Sequence, residues 1–317
     1  MKRILQVDGG GIMGIIPAVF LAGLEARLLE KGITTPLYEL FDLMSGSSTG
    51  AVLTAALASG LTAEQASKIY TEEGVALFAD AVHRNWRFRR PWRGKYRRKD
   101  FVEEFRRHLS KGTLADLHCR IMITAVSIVD FRTHYLKSDD TRRPSRGGPA
   151  DAEIRVIDAV ARSGLSAPYY FNPVDDPAGK QVWIDGGSFT ENCSAEECMI
   201  EAVDRDWHEE GVRLLSLGTG HEDPSRPYDK AAKVESWRVV RDYVNEARQR
   251  CVPRQFERID RGLAKLAPTL QYHRVDIEVP ASINALDGAE HAKTYEELGR
   301  QLVEGQAEAV EAFLEVQ

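Results

Sequence analysis

Cysteine is scarce in this chain of 317 residues. Cys119, Cys193, Cys198 and Cys251 form no C-x-x-C pair and no regular spacing, so a disulfide framework is not expected and the thiols read as those of a reduced, cytosolic protein. The scattered histidines, among them His83, His134, His208 and His221, form no H-x-x-x-H or comparable cluster, and no metal centre is expected. Long apolar runs are lacking as well. The longest helical one, around Ala51 to Leu61, falls short of the roughly 20 residues that span a bilayer. Met1-Lys2-Arg3 leads into an apolar stretch too short for a signal peptide. Membrane contact is therefore expected to be peripheral, from a cytoplasmic protein at the inner face of the membrane. No repeat or low-complexity linker divides the chain, and one domain over 1–317 is expected, with a motif-bearing core over about 4–220 and a helical part over about 231–317.

What is present fits a globular α/β protein. Apolar residues make up 43% and charged residues 28%, enough for a substantial core. The net charge of -6 gives no general attraction to nucleic acid. Short apolar runs alternate with helical patterns along the chain, which predicts a mainly parallel sheet covered on both faces.

The stretch from Phe41 to Gly60 organises the rest. It holds Gly46-Ser47-Ser48-Thr49-Gly50, a G-x-S-x-G between an apolar run and a small-residue helix. That is the layout of a nucleophile elbow, a strand and a helix joined by a sharp turn. Ser48 would stand at the tip, above the positive end of the following helix.

Upstream, a strand at 4–7 runs into Asp8-Gly9-Gly10-Gly11-Ile12-Met13-Gly14, and a helix opens at Pro17. Gly9-x-Gly11-x-x-Gly14 matches the dinucleotide fingerprint literally. Against a pyrophosphate stands Asp8, whose carboxylate would repel it. The same loop could aim glycine N–H groups at the oxyanion of a tetrahedral intermediate. A turn needed only for close packing also fits.

Between Ala63 and Phe78 one amphipathic helix is expected. Arg84 to Lys99 then carries nine basic residues, no acidic one, and Trp86, Phe88, Trp92 and Tyr96 interleaved. Taking those nine charges from the net -6 leaves -15 for the remainder. Trp86, Arg89, Arg90, Trp92, Arg97 and Arg98 suit either an anionic membrane surface or an anionic nucleotide; a solvated basic loop is the plainer alternative. Further on, paired strands are expected at Arg120–Val129 and Thr133–Lys137. A short strand from Gln181 ends at Asp185-Gly186-Gly187, where an α/β sheet places catalytic groups, although Asp-Gly is also a common turn. A helix over Lys233–Leu266, a strand over Tyr272–Val279 and a last helix from Thr294 complete the expectation.

Four segments in one order, DGGGIMG, GSSTG, ARSGLSAPYYF and DGG, closely resemble the patatin-like phospholipase family, and the strand VRLLSLGTG is similar too. The resemblance covers roughly Ile4 to Gly220. It implies a three-layer α/β/α fold and a lipid acyl hydrolase that works through a Ser–Asp dyad and an acyl-enzyme, without cofactor or metal. By motif Ser48 is the nucleophile, Asp185 the base, and the amides of Gly10 and Gly11 the oxyanion hole. Met13 stands where the family's loop usually carries Arg or Lys, and Leu165 where a serine is frequent. Bacterial members that cyclic nucleotides activate in antiphage defence are similar in compact length and basic insert, which implies a membrane phospholipid substrate and a cyclic-nucleotide activator.

The chemistry is coherent on its own terms. A serine hydroxyl needs a base beside it, and burial would bring an aspartate toward that task. Three other readings were weighed: a nucleotide-binding module, a catalytically dead membrane-binding relative, and a Ser–Asp–His hydrolase using His273 or His291.

Overall fold

The computed structural model describes residues 1–82, 94–145, 147–188, 192–222, 255–263, 265 and 269–316. Its strands are β1 (Lys2–Val7), β2 (Leu43–Ser47), β3 (Arg120–Ser127), β4 (Arg132–Lys137), β5 (Val174–Asp176), β6 (Gln181–Asp185), β7 (Val212–Leu217) and β8 (Leu270–Val275). They join one sheet with hydrogen-bonded neighbours β5-β6-β3-β2-β1-β7-β8, and β4 also pairs with β3. The five strands from β3 to β8 on this path are parallel. The expected parallel sheet is thus completed by three antiparallel strands, β4, β5 and β6.

Strand sequence explains the layers. In β1, Leu5 and Val7 enter one core and Ile4 the other; in β7, Leu215 and Leu217 oppose Val212 and Leu214 in the same way. Strands buried on both faces need apolar residues at nearly every position. The larger core lies under the helices Ile15–Glu30, Thr49–Ala58, Val156–Ser163 and Ala292–Leu314, the smaller one under Ala195–Asp204. This is the three-layer α/β/α architecture.

The register of β3 matters most for function. Its residues Arg120–Thr124 pair with β2, Met122–Ser127 pair with β4, and Ala125–Ser127 pair with β6. A strand has only two edges. Where β2 and β4 overlap on β3 they must occupy opposite edges, and β6 must likewise lie opposite β4. So β2 and β6 share one edge of β3 and meet head to head. Ser47 faces Thr124 and Asp185 faces Ala125, one residue step apart, about 3.3 Å along the strand.

Several boundaries differ from the sequence expectation. A 3-10 turn at Gly11–Gly14 precedes the first helix, which starts at Ile15, before Pro17. Counted from Gly11 to Glu30, this segment has 20 residues, and its most apolar 18-residue window has mean hydropathy 1.8, long and apolar enough by composition to cross a membrane; among the described residues the longest apolar helix is therefore this one and not Ala51–Leu61. Within the fold 67% of that window is buried, and the helix packs against Ala292–Leu314, where Gly23 admits Val303 and Gly299 admits Val19. The helix expected over Ala63–Phe78 is divided by a π-turn at Ile69–Gly74, between Ala63–Lys68 and Val75–Asp80. The wider turn aligns positions five apart, so Ile69 and Gly74 face the same cavity. β8 ends at Val275 instead of running to Val279. Most of the helix expected over Lys233–Leu266 lies outside the described residues.

Candidate active site

The elbow forms as its glycines predict. Ser48 has φ 53° and ψ −118°, a conformation that costs a side-chain-bearing residue about 1–3 kcal/mol and clusters at functional sites. The head-to-head strands give its physical reason. Beyond Ser47 the edge of β3 is taken by Asp185, so the chain must leave the sheet at Ser48, and it enters the Thr49–Ala58 helix directly. A side chain on Gly50 would strike the Val7 and Asp8 carbonyls, and one on Gly9 would come within 2.9 Å of Ser48 Cβ. The Ser48 N–H donates to Ser163 Oγ at 2.9 Å, and Gly164 packs against the Ser48 carbonyl. Ser163 was not singled out in the sequence, although it lies inside the ARSGLSAPYYF block.

Asp185 is only 4% exposed. Its Oδ1 accepts the Gly187 N–H at 2.7 Å, which gives the Asp-Gly-Gly turn a structural use as well. Gly9 and Gly187 both press on the Asn192 side chain, and Gly187 also lies beside Asp185 Oδ1. Asn192 donates to the Gly9 carbonyl at 3.0 Å and its own carbonyl accepts the Gly9 N–H at 3.1 Å. This asparagine couples the glycine loop to the Asp185 turn, and no motif pointed to it. β6 runs antiparallel to β3, so Asp185 reaches the level of Ser48 from the opposite direction to the one a parallel strand end implies.

In the glycine loop the N–H groups divide cleanly. Gly9 N donates to Asn192 and Ile12 N to Leu286 at 2.8 Å; among the described residues, none accepts from Gly10 N or Gly11 N. Gly11 has φ +59°, and a Cβ there would collide with the Leu286 carbonyl. Asp8, read in the sequence as repelling phosphate, is instead neutralised. Arg274 grips it through contacts of 2.6 and 3.1 Å, and Gln6 donates to it at 2.9 Å. Burial alone would raise Asp276, but Arg274 and His221 pull its carboxyl down to about 2. Met13 is 2% exposed in the main core, so a cation at this position would be buried without a partner.

Beside Ser48 opens an apolar cavity of about 50 Å³, lined by Ile12, Val52, Ile69, Phe101, Phe105 and Phe171 among others. It is small beside the roughly 300 Å³ of an ordinary ligand pocket. An acyl chain of any length needs its walls to part.

Of the two histidines considered for a triad, His273 lies elsewhere. His273 is level with Met44, three strands away from β2 through β1 and β7, and its ring packs on Phe313. His291 sits beside Glu290 and Tyr295. In the basic segment, Trp86, Arg89, Arg90 and Trp92 lie outside the described residues. Arg97 and Arg98 do not present free cations. Arg97 binds Asp100 at 2.6 Å and the Val82 and Asp80 carbonyls. Arg98 binds the carbonyls of Leu165, Asn172 and Pro173, bracing the block that carries Ser163.

Residues 5–199 match the family model described as patatin-like phospholipase. The chain belongs to the patatin-like phospholipase family. It is 28% identical over 250 residues to a cGAMP-activated phospholipase of Vibrio cholerae, covering 73% of this chain and 68% of that one. A protein of the same name from Escherichia coli is 26% identical over 234 residues, 70% of this chain and 63% of the relative. Patatin-like protein 1 of Oryza sativa is 26% identical over 266 residues, 75% and 63%. The matches thus span about two thirds of the relatives' own lengths. As a patatin-like protein the chain is a serine hydrolase of the lipid acyl hydrolase type.

Proposed function

We propose that this patatin-like protein cleaves fatty-acyl esters of membrane phospholipids, with Ser48 as nucleophile and Asp185 as its base. The observation that carries the reading is the end-to-end meeting of β2 and β6 on one edge of β3, which brings the two residues to one level. Asp185 takes the Ser48 proton as Oγ attacks the ester carbonyl. The N–H groups of Gly10 and Gly11 and the positive end of the Thr49–Ala58 helix stabilise the oxyanion. The proton passes to the leaving lysolipid or alcohol oxygen as the acyl-enzyme forms. Water, deprotonated by the same carboxylate, then releases the fatty acid.

The test is hydrolysis of phospholipid vesicles by purified protein. Ser48→Ala and Asp185→Asn are each expected to abolish turnover while circular dichroism stays unchanged. The double variant should be little worse than either, because the pair acts as a unit. Near-normal turnover in Asp185→Asn would sink the dyad and make His291→Ala the next measurement.

Two relatives carry cGAMP activation in their names, which supports extending a cyclic-nucleotide activator, and with it an effector role in antiphage defence, to this chain. Assays with and without a panel of cyclic nucleotides check it. A rate independent of every nucleotide counts against activation and leaves the hydrolase reading intact.

A further inference from the structure

We propose that Glu73, Glu104 and His108 form a zinc-class metal site, apart from the catalytic groups, that ties together two walls of the apolar cavity. Glu73 belongs to the Ile69–Gly74 π-turn. Glu104 lies on the Arg98–Phe105 helix, and His108 follows one turn later, on the same side. The three ligating atoms all lie within 4.8 Å of one another. Glu73 Oε2 is 2.8 Å from His108 Nε2, which is 3.9 Å from Glu104 Oε1.

A second observation sets Glu73 and His108 apart from exposed ion pairs. Glu73 Oε2 and His108 Nε2 are both removed from solvent and make no aligned hydrogen bond, although they face each other at ion-pair distance. They are close without being aligned on each other. Buried polar atoms without an aligned partner are unfavourable, and a cation accepting both lone pairs would satisfy them together.

The donor set selects the metal. Calcium takes six to eight oxygen ligands, and magnesium keeps an octahedral, largely hydrated shell. One imidazole and two carboxylates, with a fourth position left to water, suit zinc. Zinc–ligand bonds of about 2.0–2.1 Å set donor atoms roughly 3.3 Å apart in a tetrahedron. The present separations of 2.8 and 3.9 Å bracket that value. Arg107 holds Glu104 at 2.8 and 2.9 Å, but its side chain is 68% exposed and such a surface pair yields readily.

The location gives the site a consequence, which rests on the acyl-hydrolase reading. Glu73 stands between Tyr70 and Gly74, and Glu104 between Phe101 and Phe105, all four of which line the cavity at Ser48. A metal bridging them would hold the cavity narrow against long acyl chains.

The experiment treats the full chain with chelator, then titrates Zn²⁺, Mg²⁺ and Ca²⁺ by calorimetry and counts bound metal by mass spectrometry. One equivalent of Zn²⁺ with micromolar or tighter affinity is expected, with no saturable uptake of the other two. Glu73→Gln and His108→Asn should each weaken binding at least tenfold with unchanged circular dichroism. The group Asp206, His208 and Glu209, whose two carboxylates are exposed, is the competitor. His208→Asn should leave uptake unchanged, and its abolishing uptake would overturn the assignment, as would a wild-type protein that takes up no zinc. With zinc bound, the ratio of long-chain to short-chain ester hydrolysis should fall at least threefold. An unchanged ratio would overturn the clamp, whereas absent hydrolysis of every ester would defeat the hydrolase reading and leave the binding data standing.

Discussion

At the residue scale, Ser163 explains how the elbow is held. Its hydroxyl accepts the Ser48 N–H from a position with no solvent exposure. Removing it leaves a backbone donor without its acceptor, a loss of about 1–3 kcal/mol. Ser163 touches no reacting atom, so it is a positioning residue, and its loss should appear in turnover more than in substrate binding. Ser163→Ala is expected to lower kcat about tenfold or more, with KM nearly constant and a fall in Tm of a few degrees. Steady-state kinetics on a soluble ester check this; an unchanged kcat would show that the elbow holds its shape unaided.

At the element scale, the polar network behind the glycine loop gives a pH signature. Asp276 lies beside Arg274 at 2.7 Å and His221 at 3.5 Å, and Arg274 also holds Asp8. The Asp276 carboxyl is depressed from 3.8 to about 2. A depressed carboxyl contributes stability that is complete above its unfolded value and is lost as pH falls through the folded one. Between pH 5 and pH 2 the protein should lose about 2 kcal/mol through this group alone. Denaturant midpoints for wild type and Asp276→Asn should converge over that range; parallel curves would remove Asp276 from the account.

Legibility also divides at this scale. The turn at Ser48, the strand end at Asp185 and the glycine loop could be read because each is written in contiguous residues with a fixed spacing. The strands of β3 and β4 and the turn between them followed from alternation and turn residues. The direction of β6 could not be read, since a strand of five residues carries no sign of parallel or antiparallel pairing. Nor could the grouping of Glu73 with His108, which joins distant segments through a π-turn that the helical pattern conceals. Asp8 misled because its partner, Arg274, comes from the far end of the chain. The basic segment misled in part: composition shows that Arg97 and Arg98 are cations but not that carbonyls and Asp100 take them up.

At the scale of the whole molecule, that distinction sharpens the membrane prediction. With Arg97 and Arg98 taken up inside the fold, the proposal of membrane contact rests on Trp86, Arg89, Arg90 and Trp92. Neutralising Arg89 and Arg90 should weaken binding to anionic vesicles by about 1 kcal/mol each, tens of fold together, with the loss greatest at low salt. Replacing Trp86 and Trp92 with Ala should weaken binding to neutral vesicles as well. Arg98→Ala should act differently, lowering Tm and turnover without a salt-dependent change in vesicle affinity. Co-sedimentation over a salt series separates the outcomes. If Arg89 and Arg90 variants bind as wild type but lose a nucleotide response, the segment is a ligand site.

The meeting of β2 and β6 carries a last consequence, for insertion and deletion. β3 acts as a ruler of eight residues, tiled without gap or overlap by five residues of β2 and three of β6. One residue added to the ruler opens a gap between the tiles, and one removed makes them collide; either shift falls on the junction that sets Ser48 and Asp185 at one level. A one-residue gain in β3 should therefore disable the protein as thoroughly as losing the serine, and one more residue at the end of β2 or β6 should restore it.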